Sequence, residues 1–387
     1  MIRADDAALM RAVRERDAHA FPPMDAASSL VTLVTPARNA AWCAQDTVSG
    51  VLSQDYAGPL EWIIFDDGST DGTAAAFESH RAALQARGCT LKLVGAADVP
   101  PRGAGYARNR AIESASPDSA LYVFLDADDV CLPRRVSALV QASKLHSTHT
   151  LLGSLYERPG LPHRPRETAW HASLSQQQLV LQRLREVTMP LPTWAVTPTG
   201  FAATGSFHEA GGAYNAEDLR WFYAHLRRGG TVHRLDFPLL VYRHSPNGAV
   251  AARRVPASLI WTLRVEELEA TVLCNPPWCN GFTIWGAGKE GRRLYSALCP
   301  QSKAALRAFC DVDAAKLERG RVDFHDAVRR RVTASVPVVH FRRAVPPVLL
   351  CVKAMGLAGD PEQDGSFEAN LASHSEWTEG ADFLHFS

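Results

Sequence analysis

Short apolar segments recur along the first third of the chain, and their spacing is the feature that most restricts its fold. They are typical of strands at Leu30–Thr35, Leu60–Phe65, Leu91–Gly95 and Leu121–Leu125, about thirty residues apart, which is the length of one strand–helix–strand unit. Stretches with helical character lie between them, at residues 40–52, 73–87 and 105–115. Strands and helices that alternate at this spacing predict an α/β fold with a mainly parallel sheet.

Three carboxylates follow the fourth apolar segment, at Asp126, Asp128 and Asp129. The segment itself is wholly apolar, as expected of a strand that helices cover on both faces. Ligands of such sheets bind beyond the carboxyl ends of the strands, where Asp126 and Asp128 could hold Mg²⁺ or Mn²⁺ against a phosphate-bearing substrate. The alternative is an acidic turn that caps the next helix, since Asp favours turns and N-caps.

Polar loops follow the other strands at the same predicted sheet edge. They are Thr35–Asn39, Asp66–Gly72, and Arg102–Gly105 with Arg108 a turn later. Each has a structural explanation as well, because Asp-Gly-Ser-Thr-Asp-Gly is a good turn with an N-cap and Arg108 could be a solvated helical charge. Since the carboxyl ends of parallel strands share one edge, we predict that these loops and the Asp-rich loop form a single site.

The overall composition does not call for a polyanionic or membrane partner. Lys+Arg and Asp+Glu are balanced at 41 each. The eight cysteines include no Cys-x-x-Cys pair, which predicts reduced thiols. The first residues are charged throughout, unlike a secretory signal, and no run of about 18 apolar residues occurs. A cytoplasmic protein without a membrane partner is therefore predicted.

Four stretches in combination resemble the family 2 glycosyltransferases, which have the nucleotide-binding GT-A fold: VTLVTPARNAA, WIIFDDGSTDGT, GYARNRAI and YVFLDADD. The resemblance covers roughly residues 29–250. In that family the loop after the first strand and the second Asp of Asp-Asp-Gly hold the nucleotide base, usually uracil. The resemblance thus assigns nucleotide-sugar binding to Thr35, Pro36, Arg38, Asp67, Arg102, Arg108 and Asp126.

The same resemblance assigns the metal and catalytic roles. Asp126 and Asp128 would meet the ribose and the Mn²⁺ or Mg²⁺ bound to the diphosphate. His244 would be a third metal ligand, the alternative being an exposed or phosphate-contacting loop histidine. The family's general base belongs to a Glu-Asp pair at a helix start, here Glu217 and Asp218, and we assign it to Asp218. The alternative for this pair is an acidic helix N-terminus stabilised by the helix dipole. One base and a departing diphosphate imply direct attack with inversion.

A second α/β pattern begins at Phe282, after a boundary that we place at residue 255. The predicted division is a leader at 1–28, a GT-A domain at 29–255 and a small Rossmann-like domain at 256–387. The Gly-x-Gly-x-x-Gly sequence at Gly286–Gly291 has the strand-to-helix context of a dinucleotide loop, and the acids of Asp311–Asp313 could take a ribose. Because this fingerprint alone often gives false positives, we favour a structural or partner-docking role for the domain.

Sequence stretches in the second half of the chain indicate a narrower group of similar proteins. The stretches IWTLRVEELE, FTIWGAGKEGRRLY, FCDVD and DFLHFS resemble the eukaryotic beta-1,3-N-acetylglucosaminyltransferase-like proteins, which are also assigned as queuosine-tRNA galactosyltransferases. This implies UDP-galactose as donor and queuosine in tRNA as acceptor. Phosphate contacts or base stacking could come from Arg158, Arg164, Arg166, Arg329–Arg331, Arg342, Arg343, Trp170 and Trp194. More simply, these arginines are solvated surface charges.

Other functions remain open at this point. One is a UDP-GlcNAc- or UDP-Gal-dependent transferase with a glycan or protein acceptor. Another is a nucleotide-sensing scaffold with a degenerate site, although the intact Asp126, Asp128 and Asp218 speak against it. A third is a nicotinamide-dependent oxidoreductase built on Gly286–Gly291.

Overall fold

Each of the two α/β patterns forms a β-sheet of its own in the computed structural model of the chain. The structure describes residues 29–97, 99–158, 165–210, 215–243, 255–325, 331–352 and 367–386. The chain separates into two compact units. The first unit contains the described residues up to Gln176 and within Met189–Pro256, and the second contains Gln177–Thr188 and those from Ala257 onward. The predicted leader at 1–28 lies outside the described residues.

The sheet of the first unit contains eight strands. They are β1 Leu30–Ala37, β2 Leu60–Asp67, β3 Cys89–Ala96, β4 Ser119–Phe124, β5 Val130–Cys131, β6 Thr150–Glu157, β7 Ala195–Val196 and β8 Thr231–Val241. Their order is β3-β2-β1-β4-β7-β6-β8-β5. The first four strands in this order pair in parallel, as do β6 and β8, while β7 and β5 are antiparallel to their neighbours. The predicted α/β fold with a mainly parallel sheet is confirmed.

Helices connect these strands. They are α1 Ala44–Leu52, α2 Thr73–Glu78, α3 Arg81–Ala86, α4 Ala104–Glu113, α5 Arg135–Leu145, α6 Pro165–Ser173, α7 Pro198–Thr204 and α8 Glu217–Arg227. One helix differs from its prediction, because residues 73–87 form two short helices in place of one. Residues Gln178–Leu181 form a single helical turn.

The register of the central strands determines where the candidate site lies. Leu33 of β1 is level with Trp62 of β2 and Val123 of β4, and all three side chains are fully buried. Strands buried on both faces follow from the continuous apolar runs in the sequence. Because the strands are parallel and in step, the loops after β1, β2 and β4 emerge at one edge of the sheet.

The second unit has a six-stranded sheet in the order β11-β12-β10-β9-β13-β14, parallel except between β11 and β12. Its strands are β9 Phe282–Trp285, β10 Leu306–Asp311, β11 Arg321–His325, β12 Val332–His340, β13 Val348–Leu350 and β14 Phe383–His385. Its helices are α9 Ala257–Leu268, α10 Lys289–Ala297, α11 Pro300–Ala305, α12 Ala314–Arg319 and α13 Phe367–Ala372. The end of the chain packs onto this unit, since β14 joins the sheet and Phe386 is fully buried.

Two expectations about thiols and membranes can be compared with the structure. All eight cysteines are free thiols, as predicted. Among the helices that the structure describes, none has both the length and the apolar character needed to span a bilayer.

Candidate active site

The loops after β1 and β2 are joined by hydrogen bonds at the sheet edge. The backbone N–H of Asn39 donates to Ser69 Oγ at 3.0 Å, and the N–H of Thr70 donates to Asn39 Oδ1 at 2.9 Å. The N–H of Ala40 donates to Thr73 Oγ1 at 2.8 Å. The first two polar loops therefore meet, as the parallel sheet predicts.

Asp67 ties the third loop to the second. Its carboxylate accepts the backbone N–H of Arg102 at 2.9 and 3.1 Å and that of Gly103 at 2.7 Å. Gly103 has a φ of 101°, a conformation that only glycine adopts readily. An ionised carboxylate offers about four lone-pair directions, so Asp67 both shapes this loop and retains acceptor capacity.

Pro36, Arg38 and Arg102 lie on the accessible side of this edge. Arg38 is exposed and Pro36 is partly buried. The side chain of Arg102 is 61% exposed, and its guanidinium carbon lies 3.7 Å from the centre of the Tyr106 ring. A cation stacked on an aromatic ring keeps a defined position at the surface. These three residues are placed where a nucleotide could reach them.

Thr35 differs from its predicted role in base binding. Its side chain is fully buried, and its hydroxyl accepts a hydrogen bond from the indole Nε1 of Trp62 at 2.9 Å. The hydroxyl thus faces the core between sheet and helices. The assignment of this side chain to a base oxygen is corrected for this reason.

The Asp-rich loop after β4 is held against α1. The carbonyl of Ala127 accepts hydrogen bonds from Thr47 Oγ1 at 2.7 Å and from the Cys43 thiol at 3.2 Å. Burial, followed by the nearby carboxylate of Asp128, raises the pKa of Cys43 to about 12, so this thiol is a neutral packing group.

The carboxylates of this loop crowd one another. Burial and the charge of Asp126 raise the pKa of Asp128 to about 6, against the smaller lowering by its own backbone N–H and by the charge of Arg243. Burial and the charges of Asp128 and Asp126 also raise the pKa of Asp129 well above its usual value. The Oδ2 atom of Asp129 is buried without a hydrogen-bond partner within the described residues. This excess of negative charge suits a divalent cation, which Mg²⁺ and Mn²⁺ sites commonly satisfy with one or two carboxylates and substrate phosphates.

Arg243 fastens the end of β8 to the same loop. It donates from Nε to the carbonyl of Asp128 at 2.6 Å and from Nη1 to Asp46 at 2.7 Å. Its backbone N–H donates to Asp129 Oδ1 at 2.9 Å. Arg243 was not among the predicted site residues, although it directly follows an apolar stretch at Leu239–Tyr242.

The next residue along the chain, His244, lies outside the described residues, so its assignment as a metal ligand stays a prediction. Within the part of the chain that the structure describes, no three His, Cys, Asp or Glu side chains converge as a metal-binding group.

Arg108 connects the Asp-rich loop to the Glu-Asp pair at the start of α8. Its guanidinium lies 2.6 Å from Asp126 Oδ1 and 3.0 Å from Glu217 Oε1. Burial lowers the pKa of Arg108, but the carboxylates of Asp126, Glu217 and Asp218 outweigh it and hold the pKa above its usual value. The two acidic motifs, 18 and 109 residues from Arg108 in sequence, are thus brought to one place.

The first turn of α8 follows an unusual backbone step. Ala216 has a φ of 56° and a ψ of 46°, the left-handed conformation that a non-glycine residue seldom adopts. Asp218 Oδ1 accepts the backbone N–H of Leu219 at 2.7 Å. A backbone conformation of this kind costs free energy and is concentrated at functional sites.

The Gly-rich loop of the second unit is built in the manner of a dinucleotide fingerprint, but its acids are engaged internally. Asp311 accepts the N–H of Ala287 and the ammonium of Lys316, both at 2.8 Å. Asp313 caps α12 by accepting the N–H of Ala315 at 2.9 Å. The suggested ribose contact through these two acids is therefore not supported by their geometry.

The residues suggested for RNA contact are distributed unevenly. Trp194 is fully buried, with its indole N–H on the carbonyl of Met189 at 2.7 Å, so its assignment as a stacking surface is wrong. Arg158 is buried and paired with Glu167 at 3.1 Å, which removes it from the surface. Arg331, Arg342 and Arg343 are exposed, and Trp170 is partly buried. The side chains of Arg164, Arg166, Arg329 and Arg330 lie outside the described residues.

Comparison with known protein families gives a match within the described part of the first unit and beyond it. The family model "Glycosyl transferase family 2" matches residues 32–202. The putative teichuronic acid biosynthesis glycosyltransferase TuaG of Bacillus subtilis (strain 168) is 37% identical over 279 residues, covering 68% of this chain and 98% of that protein. The predicted resemblance to the family 2 glycosyltransferases is confirmed.

Solved structures with a related outline have low sequence identity to this chain. Staphylococcus aureus TarS residues 1–349 in complex with UDP-GlcNAc has a TM-score of 0.48 and 16% identity, covering 72% of this chain and 84% of that one. The mannosyltransferase PcManGT from Pyrobaculum calidifontis, in complex with GDP-Man and Mn²⁺, has a TM-score of 0.47 and 19% identity. This match covers 77% of this chain and 81% of the mannosyltransferase chain.

Proposed function

Because the chain belongs to glycosyl transferase family 2, we propose that it transfers a sugar from a UDP-sugar to an acceptor hydroxyl with inversion at the anomeric carbon. The family establishes that the chain is a glycosyltransferase. The observation that supports the rest of the proposal is the ion-paired arrangement of Asp126, Arg108 and Glu217, in which one guanidinium contacts both the Asp-rich loop and the first turn of α8.

The nucleotide is proposed to bind at the edge formed by the loops after β1, β2 and β3. Pro36 and Arg38 offer contact surface, and the Asp67 carboxylate keeps an acceptor direction for the N3–H of uracil. Arg102, stacked on Tyr106 and largely exposed, is placed to meet a negatively charged part of the donor.

Asp126 and Asp128 are the residues that would hold a divalent cation, with His244 as a proposed third ligand. Mg²⁺ or Mn²⁺ bound there would act as a Lewis acid that neutralises charge on the departing diphosphate. The crowded carboxylates of the loop support this assignment, since burial and the charge of Asp126 raise the pKa of Asp128 by more than the charge of Arg243 lowers it.

Asp218 is proposed to be the general base. Its carboxylate accepts the proton of the acceptor hydroxyl as that oxygen bonds to the anomeric carbon. At the same time the bond from this carbon to the diphosphate oxygen breaks, and the electron pair leaves with the UDP. Glu217 is held by Arg108, so its role is to orient the first turn of α8 while the neighbouring Asp218 takes the proton.

For the donor and acceptor we propose UDP-galactose and queuosine in tRNA. The resemblance of residues throughout the second unit supports this choice, and the exposed Arg331, Arg342 and Arg343 provide cations for phosphate contacts. A cytoplasmic location, where mature tRNA is available, belongs to the same proposal. A glycan acceptor is the second candidate, since TuaG is named for teichuronic acid biosynthesis.

A transfer assay distinguishes these possibilities. The purified chain is incubated with UDP-galactose, UDP-GlcNAc, UDP-glucose or GDP-mannose, with Mn²⁺, Mg²⁺ or EDTA. The acceptors are queuosine-containing tRNA, the same tRNA without queuosine, and a teichuronic-type glycan. We expect galactose on the queuosine-containing tRNA alone, and no transfer in EDTA. Transfer to the glycan alone would establish the second candidate, and turnover of no UDP-sugar would refute the proposal.

A further inference from the structure

A buried arginine lies between the two acidic motifs of the candidate site. The side chain of Arg108 is only 4% exposed, and its two terminal nitrogens face Asp126 at 2.6 Å and Glu217 at 3.0 Å. Its Nε is buried and has no acceptor among the described residues. Both terminal nitrogens of this guanidinium are thus engaged by carboxylates of the protein itself.

Burial makes this arrangement costly unless both carboxylates stay in place. Removing a guanidinium from water costs several kcal/mol, which the ion pairs offset only when the geometry is good. Arginine also differs from lysine here, because its planar group can address two carboxylates at once, whereas an ammonium is a single point charge. The bridge therefore restrains the distance between Asp126 and Glu217.

The helix that carries Arg108 is itself fixed to the segment before α8. A Cβ at Gly105 would lie 2.7 Å from the carbonyl of His208 and 3.1 Å from the Cβ of Glu217, so α4 touches this segment at its glycine. Asn109 donates to the carbonyl of Phe207 at 2.8 Å and accepts the N–H of Phe207 at 2.9 Å. Gly105 and Arg108 of α4 thus contact Glu217 in the first turn of α8, and Asn109 fixes α4 to the segment before that helix.

We infer that Arg108 is a positioning residue that holds Glu217, and with it the neighbouring Asp218, at a fixed distance from Asp126. This role differs from the nucleotide-sugar contact assigned to Arg108 by resemblance, because the guanidinium is turned to the two carboxylates. The inference rests on the proposed function of Asp218 as general base.

The test compares Arg108→Lys with Arg110→Lys. Arg110 is on the same helix but partly exposed, where it pairs with Glu113 and Glu209. In Arg108→Lys we expect kcat for sugar transfer to fall about 100-fold, the loss typical of a small misplacement, with the KM for the UDP-sugar changed less than about threefold. Arg110→Lys should retain the wild-type kcat and KM.

A variant of the residue paired with Arg108 distinguishes a positioning role from a failure of the Arg108 variant to fold. Glu217→Gln weakens one arm of the bridge at a partly exposed position, and we expect it to lower kcat while leaving the Kd for UDP unchanged. In the double variant Arg108→Lys/Glu217→Gln, the two losses should not multiply, because both act through one bridge. A KM that rises in Arg108→Lys while kcat stays constant would overturn the inference in favour of a donor contact.

Hydrogen exchange provides a readout that does not depend on turnover. We expect the backbone amides of residues 217–220 to exchange faster in Arg108→Lys than in the wild type or Arg110→Lys. Unchanged exchange would overturn the inference whatever the activity. If the wild type transferred no sugar but these amides loosened as expected, the proposed function would fail while the positioning role remained.

Discussion

Arg243 donates from Nε to the backbone carbonyl of Asp128 at 2.6 Å, and this contact joins the end of β8 to the acidic loop after β4. The same guanidinium reaches Asp46 on α1 at 2.7 Å. Hydrogen bonds from one charged group at the end of β8 to two other chain segments limit the movement of all three. The backbone of Asp128 is therefore restrained from outside the loop.

Asp128→Asn is expected to abolish transfer by the otherwise intact protein. The amide keeps the size of the side chain but removes the charge that a divalent cation needs, so activity should fall at least about 1000-fold. The measurement is UDP release and sugar transfer over a range of Mn²⁺ concentrations. Asp118→Asn, at an exposed position before the start of β4, is the matched control and should retain full activity. Equal activity of the two variants would contradict the metal assignment.

Asp218→Asn should separate binding from chemistry. An amide cannot accept the acceptor proton, so we expect kcat to fall about 100- to 10,000-fold, the range for loss of a general base. The Kd for UDP, measured by titration calorimetry, should stay within about threefold of the wild type because UDP does not need the base. Normal transfer by this variant would show that another group takes the proton.

Gly291→Ala tests the packing of the loop in the second unit. A Cβ at this position would lie 1.9 Å from the carbonyl oxygen of Gly286, so the chain must shift, and we expect a loss of about 2 kcal/mol in the free energy of unfolding. At Gly288 the nearest atom to a Cβ is the Lys316 ammonium at 3.9 Å, so Gly288→Ala should change stability by less than about 0.5 kcal/mol. Urea denaturation of the full chain compares them, and similar midpoints would argue against this loop geometry.

The stability of the first unit is expected to depend on His225 below neutral pH. This imidazole is fully buried between Thr204 Oγ1 and the carbonyl of Thr231, at 2.8 and 2.9 Å. Burial, with a smaller contribution from the charge of His149, lowers the pKa of His225 from 6.5 to about 4. Above pH 6.5 the ring is neutral in the folded and unfolded states, so the stability is fully present there.

As the pH falls from 6.5 to 4, the unfolded chain binds the proton more tightly, and this residue should cost up to about 3 kcal/mol of stability. The measurement is the free energy of unfolding at several pH values. In His225→Gln this part of the pH dependence should vanish, whereas the exposed His325→Gln in the second unit should behave like the wild type. A His225→Gln profile identical to that of the wild type would refute the assignment.

Much of the fold and the outline of the site could be predicted because they depend on strand order. Parallel strands with continuous apolar runs must send their following loops to one edge, and the contacts of Asn39 with Thr70 and of Asp67 with Gly103 confirm this meeting. The amphipathic helix α8 can also be predicted from the sequence, because its apolar side chains recur at helical spacing and Gly229 and Gly230 follow it.

The orientation of single side chains was not predictable in the same way. A strand that is buried on both faces shows no alternation of apolar and polar residues, so the sequence does not tell on which face of the sheet Thr35 lies. In the structure its hydroxyl contacts Trp62. Arg108 is spaced like a solvated helical charge, and only the meeting of α4 with Asp126 and Glu217 makes it a buried bridge. Residues 175–185 have helical composition, but Leu179 and Leu184 are fully buried, so tertiary packing decides their conformation.

The left-handed backbone of Ala216 has a consequence for the timing of the reaction. A glycine would reach this conformation at less cost in the folded state, but it would also let the turn before Glu217 sample other conformations. With alanine, the turn loses its conformational entropy once, when the protein folds. Binding of an acceptor then does not need to order the turn again. The carboxylate of Asp218, the proposed general base, therefore follows a turn that is ordered before the acceptor binds. A larger part of the acceptor's intrinsic affinity then remains available to hold the acceptor in line for attack.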